Sequence, residues 1–350
     1  MYKEKRVSRS EFVPIRGLSY HVRIWDSRDT NTTAVSTGSP QARPAPSEGS
    51  VLHEAKSAQA PLILVHGWMD VAASYQFMVD ALSDAFAAGR TIIAPDWRGF
   101  GQTTAAQGEA RDCFWFPDYL ADLDFLLDHY VQHTPVDLVG HSMGGNVAMT
   151  YAGVRPDRIR RLVNLEGFGL PASKPAQAPG RYLKWMDELK SLHRGDLGLK
   201  AYDDPAGVAQ RLMKTNPRLT LDKASWLASH WARPDAAGQW RIMGEAGHKI
   251  TSANIYRAEE TLEIYKRINA PVLAVEASSD SMHQWYAGKY TLADYHERLK
   301  AVADARVAVI EDAGHMLHHD QPDQLAKLIE GFLASGPSGH EKIAHQPLLA

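Results

Sequence analysis

Six short aliphatic runs recur along the chain: PLILVHG (61–67), TIIAPDW (91–97), VDLVGHS (136–142), RLVNLEG (161–167), PVLAVEA (271–277) and RVAVIED (306–312). Near-continuous apolarity over so few residues suits parallel strands covered on both faces. Helix-period stretches separate the runs. In DYLADLDFLLDHY, Leu120, Leu123 and Leu127 share one face, with Asp118, Asp122 and Asp128 expected elsewhere. In QPDQLAKLIEGFL, Leu325, Leu328, Ile329 and Phe332 recur at helical spacing, and Pro322 suits the first turn. Strands alternating with helices imply right-handed βαβ crossovers. The expected fold class is therefore α/β, with a doubly wound, mostly parallel sheet.

Two regions depart from this rhythm. Residues 26–58 are rich in Thr, Ser, Pro and Ala and nearly free of large apolar side chains. Such a segment cannot bury enough surface to offset its ordering entropy, so a flexible insertion is expected. Residues 170–256 carry Trp-, Met- and Leu-rich helical segments, RYLKWMDELK and SWLASHWARPDAAGQW, without a convincing buried strand. They are expected to form a helical cap. The core then comprises 1–169, opening with two strands joined at Gly17, and 257–334, with 335–350 as a loosely ordered tail.

The composition narrows the function classes. A formal charge of -3 over 350 residues offers no concentrated basic face for nucleic acid or anionic membrane. Cys113 is the only cysteine, which excludes an intrachain disulfide and a cysteine-rich zinc site. The charged start MYKEKRVSRS is followed by no apolar core of a secretory signal. No run of about eighteen apolar residues suggests a membrane span. A cytoplasmic location is the expectation, and oligomeric state is not legible.

The chemistry concentrates in VDLVGHSMGGNVAMTYAG. Gly140-His141-Ser142-Met143-Gly144 fits G-x-S-x-G, with a strand before it and a helix-capable run after it. So tight a strand-turn-helix crossing strains the serine backbone and leaves no room for side chains at the flanking positions, hence the glycines. It would hold the Ser142 hydroxyl above the carboxyl ends of the strands, where sheets of this kind place their ligands. A serine nucleophile needs a base, and His315 stands in DAGHMLHHDQP directly after the last expected strand. It also needs donors for the oxyanion: the backbone N–H of Met143 and that of Trp68, after the sharp exit at His66-Gly67. His141 and Trp68 are candidate substrate contacts. Two carboxylates compete to orient His315. Asp280 in ASSD is favoured because it gives the chain order Ser, Asp, His, and Glu166 in NLEGFG is the alternative. No metal is expected from His315, His318 and His319, because no carboxylate or cysteine spacing supports one.

The chain resembles the α/β-hydrolase fold superfamily, in its esterase-like branch. The resemblance is carried by HGWMD (66–70), DWRGFGQT (96–103), GHSMGG (140–145), the ASSD turn and AGHMLHHDQP (313–322), and HGWMDVAASY looks most like the serine-hydrolase-like proteins. It spans about Pro61 to Phe332, less the cap. It implies an α/β-hydrolase core, structural roles for Asp96 and Arg98, and a Ser142–His315–acid triad working without a cofactor. In haloalkane dehalogenases a glutamate in the position of Glu166 can be the catalytic acid, which keeps that residue in contention. Those enzymes and epoxide hydrolases attack with an aspartate, whereas a seryl ether has no carbonyl for water to attack. The expected function is hydrolysis of a small to medium carboxylic ester through an acyl-enzyme. A carbon–carbon bond hydrolase or a cofactor-free perhydrolase would use the same triad. A non-catalytic ligand-binding relative is the alternative of another class. Trp185, Trp226, Trp231 and Trp240 are candidate linings of an apolar pocket under the cap.

Overall fold

A two-residue turn at Arg16-Gly17, with φ of 48° and 75°, joins β1 (Arg9–Ile15) to β2 (Leu18–Trp25). Two successive positive φ values match the twist that an antiparallel hairpin needs. The computed structural model describes residues 2–26, 59–105 and 111–335. The expected insertion at 26–58 (apart from its first residue) and the tail beyond 335 lie outside the described residues.

Beyond the hairpin, each aliphatic run forms a strand: β3 (Leu62–Val65), β4 (Ile92–Pro95), β6 (Val136–His141), β7 (Ile159–Leu165), β11 (Val272–Ala277) and β12 (Ala305–Ile310). Together with the short β5 (Thr104–Ala105) they form one sheet in the order β1-β2-β4-β3-β6-β7-β11-β12, with β5 paired to β2. The six strands from β4 to β12 are mutually parallel. The chain leaves β3 towards β4 on one side and later returns as β6 on the other. That reversal opens a crevice at the carboxyl ends of β3 and β6, the usual place for a ligand in such sheets. Apolar side chains pack on both faces of the sheet. Val65, Leu138 and Leu162 belong to one cluster, and Leu64, Val139 and Val163 to the other.

In the helix Phe116–Val131, Asp122 is fully buried, and Leu123 and Leu126 are buried too. The Arg98 guanidinium grips it bidentately, at 2.5 and 2.6 Å, and Arg16 and the Tyr20 hydroxyl also donate to it. The pair ties the 96–103 loop to the helix, a structural role for Arg98. Asp122→Ala would remove the buried bidentate partner of Arg98 and leave it only Asp118, at 3.2 Å and part-exposed, a loss of about 3 kcal/mol. Urea denaturation should show it as a much lower midpoint, and a midpoint close to wild type would contradict that role.

Residues 170–256 form an insertion between β7 and the last two parallel strands. Its helices are Ala178–His193, Pro205–Thr215 and Leu221–Trp231. It is not purely helical: β8 (Ala201–Tyr202), β9 (Ala232–Pro234) and β10 (Trp240–Ile242) make a small antiparallel sheet. Strands of two or three residues carry too few positions for a readable alternation. Leu221–Trp231 anchors the insertion, because Trp226 and Leu227 pack with Phe77 and Val71 of the core in one buried cluster. Among the described residues no helix is long and apolar enough to cross a membrane.

Candidate active site

Ser142 sits between β6 and the helix Met143–Val154 with φ 53° and ψ -116°. A non-glycine residue there is strained by about 1–3 kcal/mol, and the surroundings must hold it in place. They do so closely. Its N–H donates to the Leu165 carbonyl at 2.8 Å, and its own carbonyl accepts from Asn146 at 3.0 Å. A Cβ on Gly140 would lie 2.4 Å from the Gly144 carbonyl oxygen, and one on Gly144 would lie 2.2 Å from that of Val65. The flanking glycines are thus required by contact, as the tight crossing implied.

The HGW loop crosses this elbow. A Cβ on Gly67 would stand 3.1 Å from Ser142 Cβ and 3.0 Å from His141 Nδ1. His66, fully buried, braces the loop: its Nδ1–H donates to the Gly67 carbonyl, and its Nε2 accepts from the Trp97 N–H. Asp96 accepts from the N–H groups of Ala72 and Gln102 and pairs with His21, a structural role. Met143 opens the helix after Ser142, so its N–H has no partner within that helix and lies at the positive end of the dipole.

His315, on the loop after β12, places Nδ1 at 3.2 Å from Oε2 of Glu166. Glu166 follows β7 directly and has a positive φ of 56°. Asn164 fixes that turn, accepting from the Gly167 N–H and donating to the Gly167 carbonyl. The Glu166 carboxylate is buried and also accepts from the Ala277 N–H and the Ser281 hydroxyl. Asp280, the favoured partner on chain order, is not the carboxylate that meets His315. It is exposed and accepts from the His283 N–H at 3.0 Å, capping the helix Ser281–Tyr286. The reason is local: ASSD is a helix-start sequence, and its aspartate is used by the helix it starts.

Burial pushes the Glu166 carboxyl up to about 7, against the lowering effect of its Ser281 and Ala277 hydrogen bonds. Burial also pushes His315 down to about 3, so its ring is neutral at neutral pH. An imidazole whose Nδ1–H faces a carboxylate keeps Nε2 as a free base.

The expected substrate contacts divide. Trp68 is 53 % exposed beside the elbow. His141 is only 2 % exposed, and its Nε2–H donates to the His315 carbonyl at 2.8 Å, so it has no face for a substrate. The four tryptophans of the insertion make contacts elsewhere: Trp226 is buried in one cluster with Phe77 and Val71, Trp231 and Trp240 pack against that cluster, and Trp185 meets Trp115. Trp285, which nothing in the sequence singled out, stands edge-on to His315 at 4.1 Å and is 44 % exposed. A cavity of about 380 Å³ between Tyr182 and Arg257 includes none of Ser142, Glu166 and His315.

Comparison with known proteins agrees with this geometry at the level of the fold. Residues 60–322 match the family model described as alpha/beta hydrolase fold. The cis-3-alkyl-4-alkyloxetan-2-one decarboxylase of Shewanella oneidensis is 34% identical over 290 residues, covering 81% of this chain and 86% of that protein. The serine hydrolase-like protein of Danio rerio is 24% identical over 290 residues, covering 78% and 81%. Among solved structures, the thioesterase domain from the curacin biosynthetic pathway superposes with a TM-score of 0.70 at 22% identity, over 92% of this chain and 99% of that one. The chain belongs to the alpha/beta hydrolase family.

Proposed function

We propose that the chain is a serine hydrolase that cleaves carboxylic esters through an acyl-enzyme. The observation that carries this reading is the His315–Glu166 contact on the same strand ends as the strained Ser142. His315 Nε2 takes the Ser142 proton as the hydroxyl oxygen attacks the ester carbonyl, and the ring becomes an imidazolium facing the Glu166 carboxylate. The N–H groups of Met143 and Trp68 receive the oxyanion. Collapse of the tetrahedral intermediate expels the alkoxide, which takes the proton from His315. Water, deprotonated by the same ring, then releases the acid and restores Ser142. General-base assistance typically supplies about 10²–10⁴-fold, and each oxyanion donor about 10²–10³-fold. Trp68 and Trp285, exposed beside the elbow and His315, offer apolar surface to the acyl or alcohol group.

A four-membered lactone is a second substrate reading, favoured by the relative from Shewanella oneidensis, whose name specifies an oxetan-2-one. Such a ring is a strained cyclic ester, and the same attack by Ser142 would open it to a β-hydroxyacyl-enzyme. Water would then give a β-hydroxy acid, whereas decarboxylation would give an alkene and carbon dioxide. Incubation with short- and medium-chain p-nitrophenyl esters, a thioester and a 3,4-dialkyl oxetan-2-one, with product analysis, tests the reading. Turnover of the esters is expected, with β-hydroxy acid as the lactone product. Folded protein that turns over none of these compounds would overturn it.

A further inference from the structure

Directly beneath the elbow, the fold brings together three side chains from distant parts of the chain: Asp70 after the HGW loop, His141 before the nucleophile, and His318 after the His315 loop. Each can offer one ligand atom, and these atoms all lie within 4.8 Å of one another. All three residues are buried, at 3 %, 2 % and 0 % exposure. His318 Nε2 and Asp70 Oδ2 are 3.9 Å apart, too far for a hydrogen bond.

The polar atoms that converge here have no hydrogen-bond partner. Asp70 Oδ2, His141 Nδ1 and both ring nitrogens of His318 are buried without one. Asp70 and His141 are hydrogen-bonded through their other atoms. Asp70 Oδ1 accepts from the Val71 N–H and the Ser74 hydroxyl. His141 donates Nε2–H to the His315 carbonyl, which leaves Nδ1 as the ring nitrogen free to accept or ligate. Orphaned buried groups are costly, and a shared ligand is the usual remedy. Asp70 and His141 follow the pattern of metal-binding side chains, in which a histidine donates its other N–H to a carbonyl and a carboxylate is held by hydrogen bonds at its second oxygen.

We propose that Asp70, His141 and His318 form a buried binding site for a divalent transition-metal ion of the zinc class. Two imidazoles and one carboxylate are a donor set that zinc accepts, with the fourth position left to water or another small ligand. Tetrahedral bonds of about 2.0–2.1 Å hold the donor atoms about 3.4 Å apart, so the 3.9 Å between His318 and Asp70 must close by about 0.5 Å, and a separation as wide as 4.8 Å by about 1.4 Å.

The full-length protein, stripped with chelator, should be dialysed against zinc and its metal content measured, with cobalt(II) as a spectroscopic substitute. One zinc per chain and the visible bands of four-coordinate cobalt are expected. Asp70→Asn and His318→Gln should each weaken uptake by more than the about 10–100-fold typical of outer-shell changes. His193→Gln, at an exposed histidine beside Asp112, should leave uptake unchanged and so exclude surface binding. Absence of zinc uptake by the folded wild-type protein, or uptake unchanged in both site variants, would overturn the proposal. If a variant fails to fold, the cobalt spectrum of the wild type decides: octahedral bands alone count against the site. Metal uptake is read without ester turnover, so this result is independent of the proposed reaction.

Discussion

Replacing Ser142 with alanine is expected to lower the turnover number on a p-nitrophenyl ester about 10⁶-fold, with the Michaelis constant little changed. The substitution removes the attacking oxygen and nothing else that touches the acyl group. Trp68, Trp285 and the oxyanion N–H groups remain, so ground-state binding persists and a residual rate above that in water survives. Alanine keeps the Cβ and therefore the same strained backbone at φ 53°. Stability should stay near that of the wild type, which separates loss of chemistry from loss of fold. A decrease of tenfold or less would place the reacting group elsewhere.

Glu166→Gln is the second large effect, a loss of about 10⁴-fold in turnover number, the scale seen when the acid of a serine triad becomes an amide. Glutamine keeps the size but not the pattern of acceptors. One carboxylate oxygen accepts from Ala277 N–H while the other faces His315 Nδ1 and the Ser281 hydroxyl. If the amide oxygen keeps Ala277, the NH₂ points at His315, turns the ring to the wrong tautomer and cannot stabilise the imidazolium. Asp280→Asn provides the contrast. Asparagine caps a helix as well as aspartate does, so activity and stability should both stay close to wild type. The pH profile carries the same assignment. The reaction needs Glu166 ionised and His315 neutral, so activity rises as pH rises through the Glu166 value of about 7. His315, held down at about 3, is already neutral over that range and adds no limb of its own. The wild-type kcat/KM should therefore fall below about pH 7, and the residual activity of Glu166→Gln should lose that limb. If Asp280→Asn shows the larger loss, the acid has been misplaced.

Much of this was legible in the sequence, and the limits have physical causes. Five of the six aliphatic runs became strands buried on both faces, which leave an unbroken apolar signature, whereas β12, at the sheet edge, leaves Val307 and Val309 exposed. Ser142 and its glycines were legible because the tight strand-turn-helix crossing demands them in a short motif, Gly140 against the Gly144 carbonyl and Gly144 against that of Val65 on the neighbouring strand. The choice between Glu166 and Asp280 was not. Both follow strand ends, and both give the order Ser, acid, His, so chain order does not discriminate. It was decided by the Asn164 turn that aims Glu166 inward and by the helix that takes Asp280 as its cap. Asp122 was placed only off the Leu120–Leu123–Leu127 face, because periodicity does not show that Arg98 makes its burial tolerable. The meeting of Asp70, His141 and His318 has no local signature at all. Spacing among the late histidines carries no sign of a carboxylate that follows β3 or of a histidine that ends β6.

The most direct test of a serine acyl-transfer mechanism is to expose the folded protein to a fluorophosphonate and locate the adduct by peptide mass spectrometry. A single phosphonyl group on Ser142 is expected, formed slowly or not at all in Glu166→Gln and absent in Ser142→Ala. Wild-type protein that stays folded and takes up no label, or that carries it on a residue other than Ser142, would contradict the mechanism.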